Sequence, residues 1–170
     1  MRIFLTGFMG SGKSYWGRLW AEESGLTFYD LDDIIEADER MTIDAIFDKK
    51  GEPYFRQKES ASLRNLVDYD NCIIACGGGT ACYDDNMKWM NENGTTVYLQ
   101  ATAFRLLENI ITEIDKRPAL KKINKAEVLF FIEQKLKERL EYYTAAKIHL
   151  QVSELDKTSI REIIQSSKNS

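Results

Sequence analysis

Short apolar runs alternate along this chain with longer segments whose apolar residues recur at helical spacing. Ile3–Leu5, Thr27–Tyr29, Cys72–Ala75, Thr96–Leu99 and Ile148–Val152 are brief, mostly β-branched or aromatic, and predict five strands. The segments between them predict helices near 13–24, 32–50, 53–67, 84–93, 102–114 and 125–145, with a last one near 157–166. Such alternation predicts an α/β fold: a mainly parallel five-stranded sheet, doubly wound, between two helical layers. Ligands of such folds bind beyond the carboxyl ends of the strands. No repeat or low-complexity linker divides the chain, so residues 1–170 read as one domain. The charged stretch Glu113–Ala126, which carries Pro118, reads as a mobile lid at about 112–125, and Ser166 to Ser170 read as a frayed polar tail.

Composition narrows the function classes. Hydrophobic residues make up 44% and charged residues 29%, which suits a folded soluble chain, and the net charge of −4 argues against nucleic acid or an anionic membrane as partner. No run reaches the ~18 apolar residues that span a bilayer. The opening Arg2-Ile3-Phe4-Leu5 lacks a signal-peptide layout, so a cytoplasmic location is expected; separately, a monomer is expected. Cys72, Cys76 and Cys82 are odd in number and lack zinc-site spacing, which predicts reduced packing residues. His149, between Ile148 and Leu150, reads as structural.

The chemistry starts at Gly7-Phe8-Met9-Gly10-Ser11-Gly12-Lys13-Ser14, a Gly-x4-Gly-Lys-Ser run between the first strand and the first helix. Glycines let backbone N–H groups turn inward onto a phosphate, and the helix that follows directs its positive end at the same place. Gly10, Ser11, Gly12, Lys13, Ser14 and Tyr15 are the expected ATP contacts. Lys13 would reach the β- and γ-phosphates, and the Ser14 hydroxyl would join a Mg²⁺ shell. This P-loop assigns the donor and leaves the acceptor open.

Three further features bear on the acceptor, two of them at predicted strand ends. Asp30-Leu31-Asp32-Asp33 follows the second strand; alternation places Asp30 and Asp32 on one side with Leu31 in the core. One carboxylate could hold a Mg²⁺-bound water and the other orient a hydroxyl, although Asp32 could equally cap the next helix, and Asp33 suits its first turn. In Gly51-Glu52-Pro53-Tyr54-Phe55-Arg56-Gln57-Lys58-Glu59, Glu59 stands at i+3 to Arg56 and could hold its guanidinium for a ligand carboxylate. Gly77-Gly78-Gly79 after the third strand suggests backbone brought close to a ligand.

Together with Arg117-Pro118-x-Leu120 and Arg139-x-x-x-Tyr143, these motifs resemble in order and spacing the shikimate kinase family, from about Arg2 to Ile164. The resemblance implies a nucleoside-monophosphate-kinase-like P-loop fold, ATP and shikimate as substrates and Mg²⁺ as cofactor. It implies that Asp32 binds the shikimate hydroxyls and assists deprotonation, and that Asp30 contacts the metal through water. Arg56 and Arg139 would clamp the shikimate carboxylate, with Glu59 supporting Arg56 and backbone contacts from Gly78 and Gly79. Ile43 and Phe47 would wall the pocket within a substrate segment of about 31–62, and Arg117 would swing onto the phosphates from the lid. Lys13, Asp32 and Arg117 are thus the implied catalytic set.

The chain also departs from that pattern. Ala75 and Cys76 stand where the family usually has hydroxyl residues, and Asn109-Ile110-Ile111 where it carries an arginine against adenine, the nearest here being Arg105. Ala119 replaces the more usual leucine after the lid proline. Two other readings are a kinase for a different hydroxylated acceptor, such as gluconate, and a nucleotide-binding module without catalysis.

Overall fold

A computed structural model describes residues 1–115 and 124–168. Strands β1 (Arg2–Thr6), β2 (Thr27–Asp30), β3 (Cys72–Ala75), β4 (Thr95–Gln100) and β5 (Ile148–Gln151) form one sheet in the order β2-β3-β1-β4-β5. Every pairing is parallel, which goes further than the mainly parallel sheet expected. Among the described residues the helices are α1 (Lys13–Ser24), α2 (Leu31–Glu39), α3 (Ile43–Asn65), α4 (Asn86–Asn93), α5 (Ala103–Asp115), α6 (Lys125–Thr144) and α7 (Ser159–Lys168). None is long and apolar enough to cross a membrane.

The strands split their side chains between two cores, as a period of two requires. Ile3, Leu5, Ile73, Val97 and Leu99 pack with Trp20 of α1 and Ile160 and Ile163 of α7. Phe4, Ile74 and Tyr98 point the other way, onto residues from α2 through α6. Helices therefore cover both faces, and the three-layer expectation holds. The register matters for function: Ala75 of β3 lies opposite both Leu5 of β1 and Asp30 of β2. The carboxyl ends of three neighbouring strands thus finish level, so the segments after them emerge side by side.

Two expected boundaries change. The helices expected at 32–50 and 53–67 meet differently: the chain breaks after Glu39, and α3 runs through to Asn65 with only a kink at Gly51 (φ 81°, ψ 167°). The break has a local cause. Arg40 takes a left-handed conformation, the Thr42 side chain accepts a hydrogen bond from Ala45 N at 3.2 Å, and Glu36 Oε1 accepts one from Ile43 N at 2.8 Å. Thr42 is an N-cap of the usual type, a signal outweighed in the sequence by Gly51 and Pro53. At the other end, the expected frayed tail is helical to Lys168, and Ser167 Oγ donates to Ile163 O at 2.7 Å. Arg117, Pro118, Ala119 and Leu120, the centre of the expected lid, lie outside the described residues.

Thr42→Ala should lower the free energy of unfolding by about 1 kcal/mol, the usual worth of such a cap, as measured by urea denaturation.

Candidate active site

The loop after β1 closes on itself. Ser11 N donates to Phe8 O at 3.1 Å, Gly10 and Gly12 take φ of 78° and 85°, and α1 begins directly at Lys13. Lys13 is buried, and its Nζ donates to Gly7 O at 2.8 Å and Phe8 O at 2.9 Å. Burial lowers its pKa to about 8. The buried Ser11 Oγ has no hydrogen-bond partner among the described residues. A buried polar atom without a partner is costly and marks a place built for a further polar group.

The two aspartates after β2 part company. Asp30, not Asp32, is the N-cap of α2: its Oδ1 accepts from Asp32 N at 3.1 Å. Its other oxygen accepts from Ser14 Oγ at 2.5 Å. The capping role weighed for Asp32 therefore falls to Asp30, because the strand ends there and Leu31 already starts the helix. Asp32 is left facing the cleft in the first turn, while Asp33 is exposed. Burial, with the charges of Asp30 and Glu59 behind it, raises the Asp32 pKa to about 6. Ala75 sits opposite Asp30 in the ladder and gives it no side-chain partner, so Ser14 and the Asp32 amide satisfy both carboxylate oxygens.

Arg56 is held on several sides. Its Nη1 donates to Glu59 Oε2 at 2.8 Å, and Nε and Nη2 each lie 3.1 Å from Glu52 Oε1. The Tyr83 ring covers the guanidinium, 4.3 Å from Cζ. Glu59 is fully buried, and Thr80 Oγ1 donates to its second oxygen at 2.6 Å. This is no surface ion pair. Glu52, Tyr83 and Thr80 escaped the sequence reading; only Glu52, at i−4 to Arg56, left a local signal.

The triple glycine is where these groups meet. A Cβ on Gly79 would lie 2.7–2.9 Å from the Arg56 guanidinium, and one on Gly77 would lie 2.8 Å from Glu59 Oε1 and 3.2 Å from Asp32 Oδ1. The close approach expected toward a ligand is thus first an approach of the protein's own charged groups to the turn. Arg139 Nη1 donates to Gly78 O at 3.1 Å, and Tyr143, one helical turn on, donates its hydroxyl to the same oxygen. That places Arg139 at the site rather than on the solvated face of α6.

Beside the P-loop opens a cleft of about 670 Å³, lined by the loop itself, Tyr15, Trp16, Asp30, Asp32, Cys76, Gly77 and Gly78. Arg105, Asn109 and Thr112 of α5 and Val152 line it too. All three cysteines are free, and burial pushes the Cys76 thiol far up, which keeps it protonated. Ile43 and Phe47, implied as pocket walls, are half-buried against the larger core, with the Phe47 ring tilted against that of Phe55 at 4.6 Å between centroids. His149 is structural: its Nε2 lies 3.0 Å from Ala146 O.

A family model described as shikimate kinase matches residues 9–168. A shikimate kinase of Phocaeicola vulgatus is 36% identical over 166 residues, 97% of this chain and 95% of the relative. The crystal structure of the Bacteroides thetaiotaomicron shikimate kinase superposes with a TM-score of 0.87 at 35% identity, covering 99% of this chain and 97% of the other. That of the Acinetobacter baumannii enzyme, described as a complex with shikimate, gives 0.80 at 30% identity over 99% and 93%.

Because the folded-state pKa of Asp32 lies above its ordinary 3.8, its charge costs stability above about pH 6 and none below about 3.8. Asp32→Asn should therefore raise unfolding stability near pH ~7.5 by on the order of 1–3 kcal/mol, a gain that shrinks as pH falls toward ~4, read by urea denaturation across pH.

Proposed function

The chain belongs to the shikimate kinase family, and from that premise we propose how its residues carry the γ-phosphate of ATP to the 3-hydroxyl of shikimate. It is an ATP-dependent kinase that forms shikimate 3-phosphate and ADP on the route to chorismate and the aromatic amino acids. One observation carries the assignment of roles: Arg56, Arg139 and Asp32 all touch the Gly77–Gly79 turn, beside the P-loop. A small ring with a carboxylate at one end and hydroxyls at the other fits that arrangement of cations and carboxylate.

Arg56 and Arg139 hold the shikimate carboxylate, the first kept in orientation by Glu59, with Gly78 and Gly79 offering backbone contacts. This positions the 3-hydroxyl toward Asp32, which above about pH 6 is ionised and accepts its proton. The hydroxyl oxygen then bonds the γ-phosphorus, the bond to the bridging oxygen breaks, and ADP leaves. Lys13 exchanges the Gly7 and Phe8 carbonyls for the β- and γ-phosphates, while the N–H groups of Gly10, Ser11 and Gly12 and the start of α1 stabilise the charge. Tyr15 borders the nucleotide, and the family resemblance assigns the phosphates a further cation, Arg117 of the expected lid at about 112–125, which lies outside the described residues.

A magnesium ion fits the donor set. Ser14 Oγ and Asp30 stand together at the cleft, and among the described residues no cluster of three His, Cys, Asp or Glu could hold a metal alone. Mg²⁺ is usually held by one or two such protein oxygens, with waters and substrate phosphates completing its shell. Ser14 would bind it directly and Asp30 through water; the ion offsets charge on the transferring phosphate. We read the chain as one cytoplasmic kinase domain acting as a monomer, with its acceptor segment at about 31–62.

Acceptor-dependent ADP release, measured with shikimate, gluconate and nucleosides, tests the reading. Turnover is expected with shikimate, and turnover of another acceptor in its place would overturn it; no turnover with any would favour a non-catalytic module. Asp32→Asn should lower kcat by about 10²–10⁴-fold while ADP still binds. In the wild type, kcat/KM for shikimate should fall toward tenfold per pH unit below about 6, where Asp32 protonates. Arg56→Ala should raise KM for shikimate by at least about thirtyfold, the equivalent of ~2 kcal/mol, and leave KM for ATP nearly unchanged.

A further inference from the structure

Helix α5 meets the P-loop at one point. Asn109 Nδ2 donates to Gly10 O at 2.7 Å, in a half-buried contact that joins residues 99 apart in sequence. The helix lies directly on that glycine: a Cβ there would come within 3.0 Å of Ile110 Cγ1 and 3.3 Å of Leu106 O. Gly10 is also the corner of the turn closed by Ser11 N on Phe8 O, and its φ of 78° belongs to that turn.

Besides that backbone bond, the side-chain bonds that shape the loop are of two kinds. Those from Lys13 to Gly7 O and Phe8 O come from a group that must turn toward phosphate, so they are given up when nucleotide binds. The bond from Asn109 comes from outside the loop, and nothing in phosphate binding requires it to break. Among the described residues it is the one side-chain hydrogen bond that holds residues 8–12 to a distant element. By fixing the Gly10 carbonyl outward, it fixes the plane of the Gly10–Ser11 peptide and hence the direction of neighbouring N–H groups.

We infer that Asn109 is a positioning residue for the phosphate cradle, holding the Gly10 corner in its nucleotide-binding shape after Lys13 leaves the loop carbonyls. The inference rests on reading residues 7–14 as the site of the donor phosphates. Preorganised N–H groups lose less on binding than groups that must first be ordered, so the effect falls on nucleotide affinity.

The test is calorimetric titration of the whole protein with ADP alone, which needs no acceptor and so reads the clamp independently of the acceptor assignment. Asn109→Leu keeps approximate shape and removes the donor; Asn109→Asp keeps size and replaces the donor with a charge. Kd for ADP should rise about three- to tenfold in the leucine variant, the worth of one hydrogen bond, and more in the aspartate variant. Shikimate affinity and Tm should stay near wild type, and kcat at saturating ATP should stay within about twofold, since a shape fixed before binding acts on the ground and transition states alike. Unchanged ADP affinity in the leucine variant overturns the inference, even if the aspartate variant is weak, because charge alone would then explain the loss. Matched losses of ADP and shikimate affinity overturn it as well, since they would mark a general disturbance of α5.

Discussion

The buried carboxylate of Glu59 ties the acceptor half of this protein together. It joins α3 to the turn after β3 by holding Arg56 with one oxygen and Thr80 with the other, and Gly77 must lack a side chain to let it in. Its weight follows from its burial. Removing one partner of a buried pair leaves an uncompensated charge and costs roughly 3–5 kcal/mol. An exposed pair such as Arg105–Glu108, with side chains 60% and 49% exposed, contributes about 0–1 kcal/mol. Only the first kind can set the direction of a guanidinium in a binding site.

The same carboxylate shapes the chemistry next to it. Asp30, Asp32 and Glu59 are gathered into one region because three parallel strands end level and Glu59 of α3 reaches the turn after β3. Burial raises the pKa of Asp32, and the neighbouring negative charges push it further. Lys13 feels the opposite pressure from burial. A site that collects charge in this way is held at some cost to stability, and the cost falls on Asp32 and Lys13. Glu52 and Tyr83 add a second hold on Arg56 from the exposed side.

Much of this was readable before the fold was known, and the reason is locality. The P-loop, the Arg56–Glu59 pair and the triple glycine each encode their geometry within a few residues, so spacing alone exposes them. The strands could be read for the same reason, since each is a brief apolar run, mostly β-branched or aromatic, set between helical segments. The break at Arg40 was missed because the Thr42 cap is a weaker signal than Gly51 and Pro53, although a cap can start a helix and a glycine need only bend one. Tyr143 on Gly78, 65 residues apart, and Asn109 on Gly10, 99 apart, leave no local trace.

The sequence by itself determined the inventory: a loop shaped for phosphate, two aspartates after a strand, an arginine with a glutamate three residues on, and glycines where bulk is excluded. Residue type and near spacing suffice for that, because backbone freedom and side-chain reach are properties of short segments. The tertiary structure decided which aspartate does which work. Asp30 became the cap of α2 and the partner of Ser14, and Asp32 became the half-buried carboxylate with a raised pKa. Proton affinity depends on burial and on charges brought near from elsewhere in the chain, and only folding brings them.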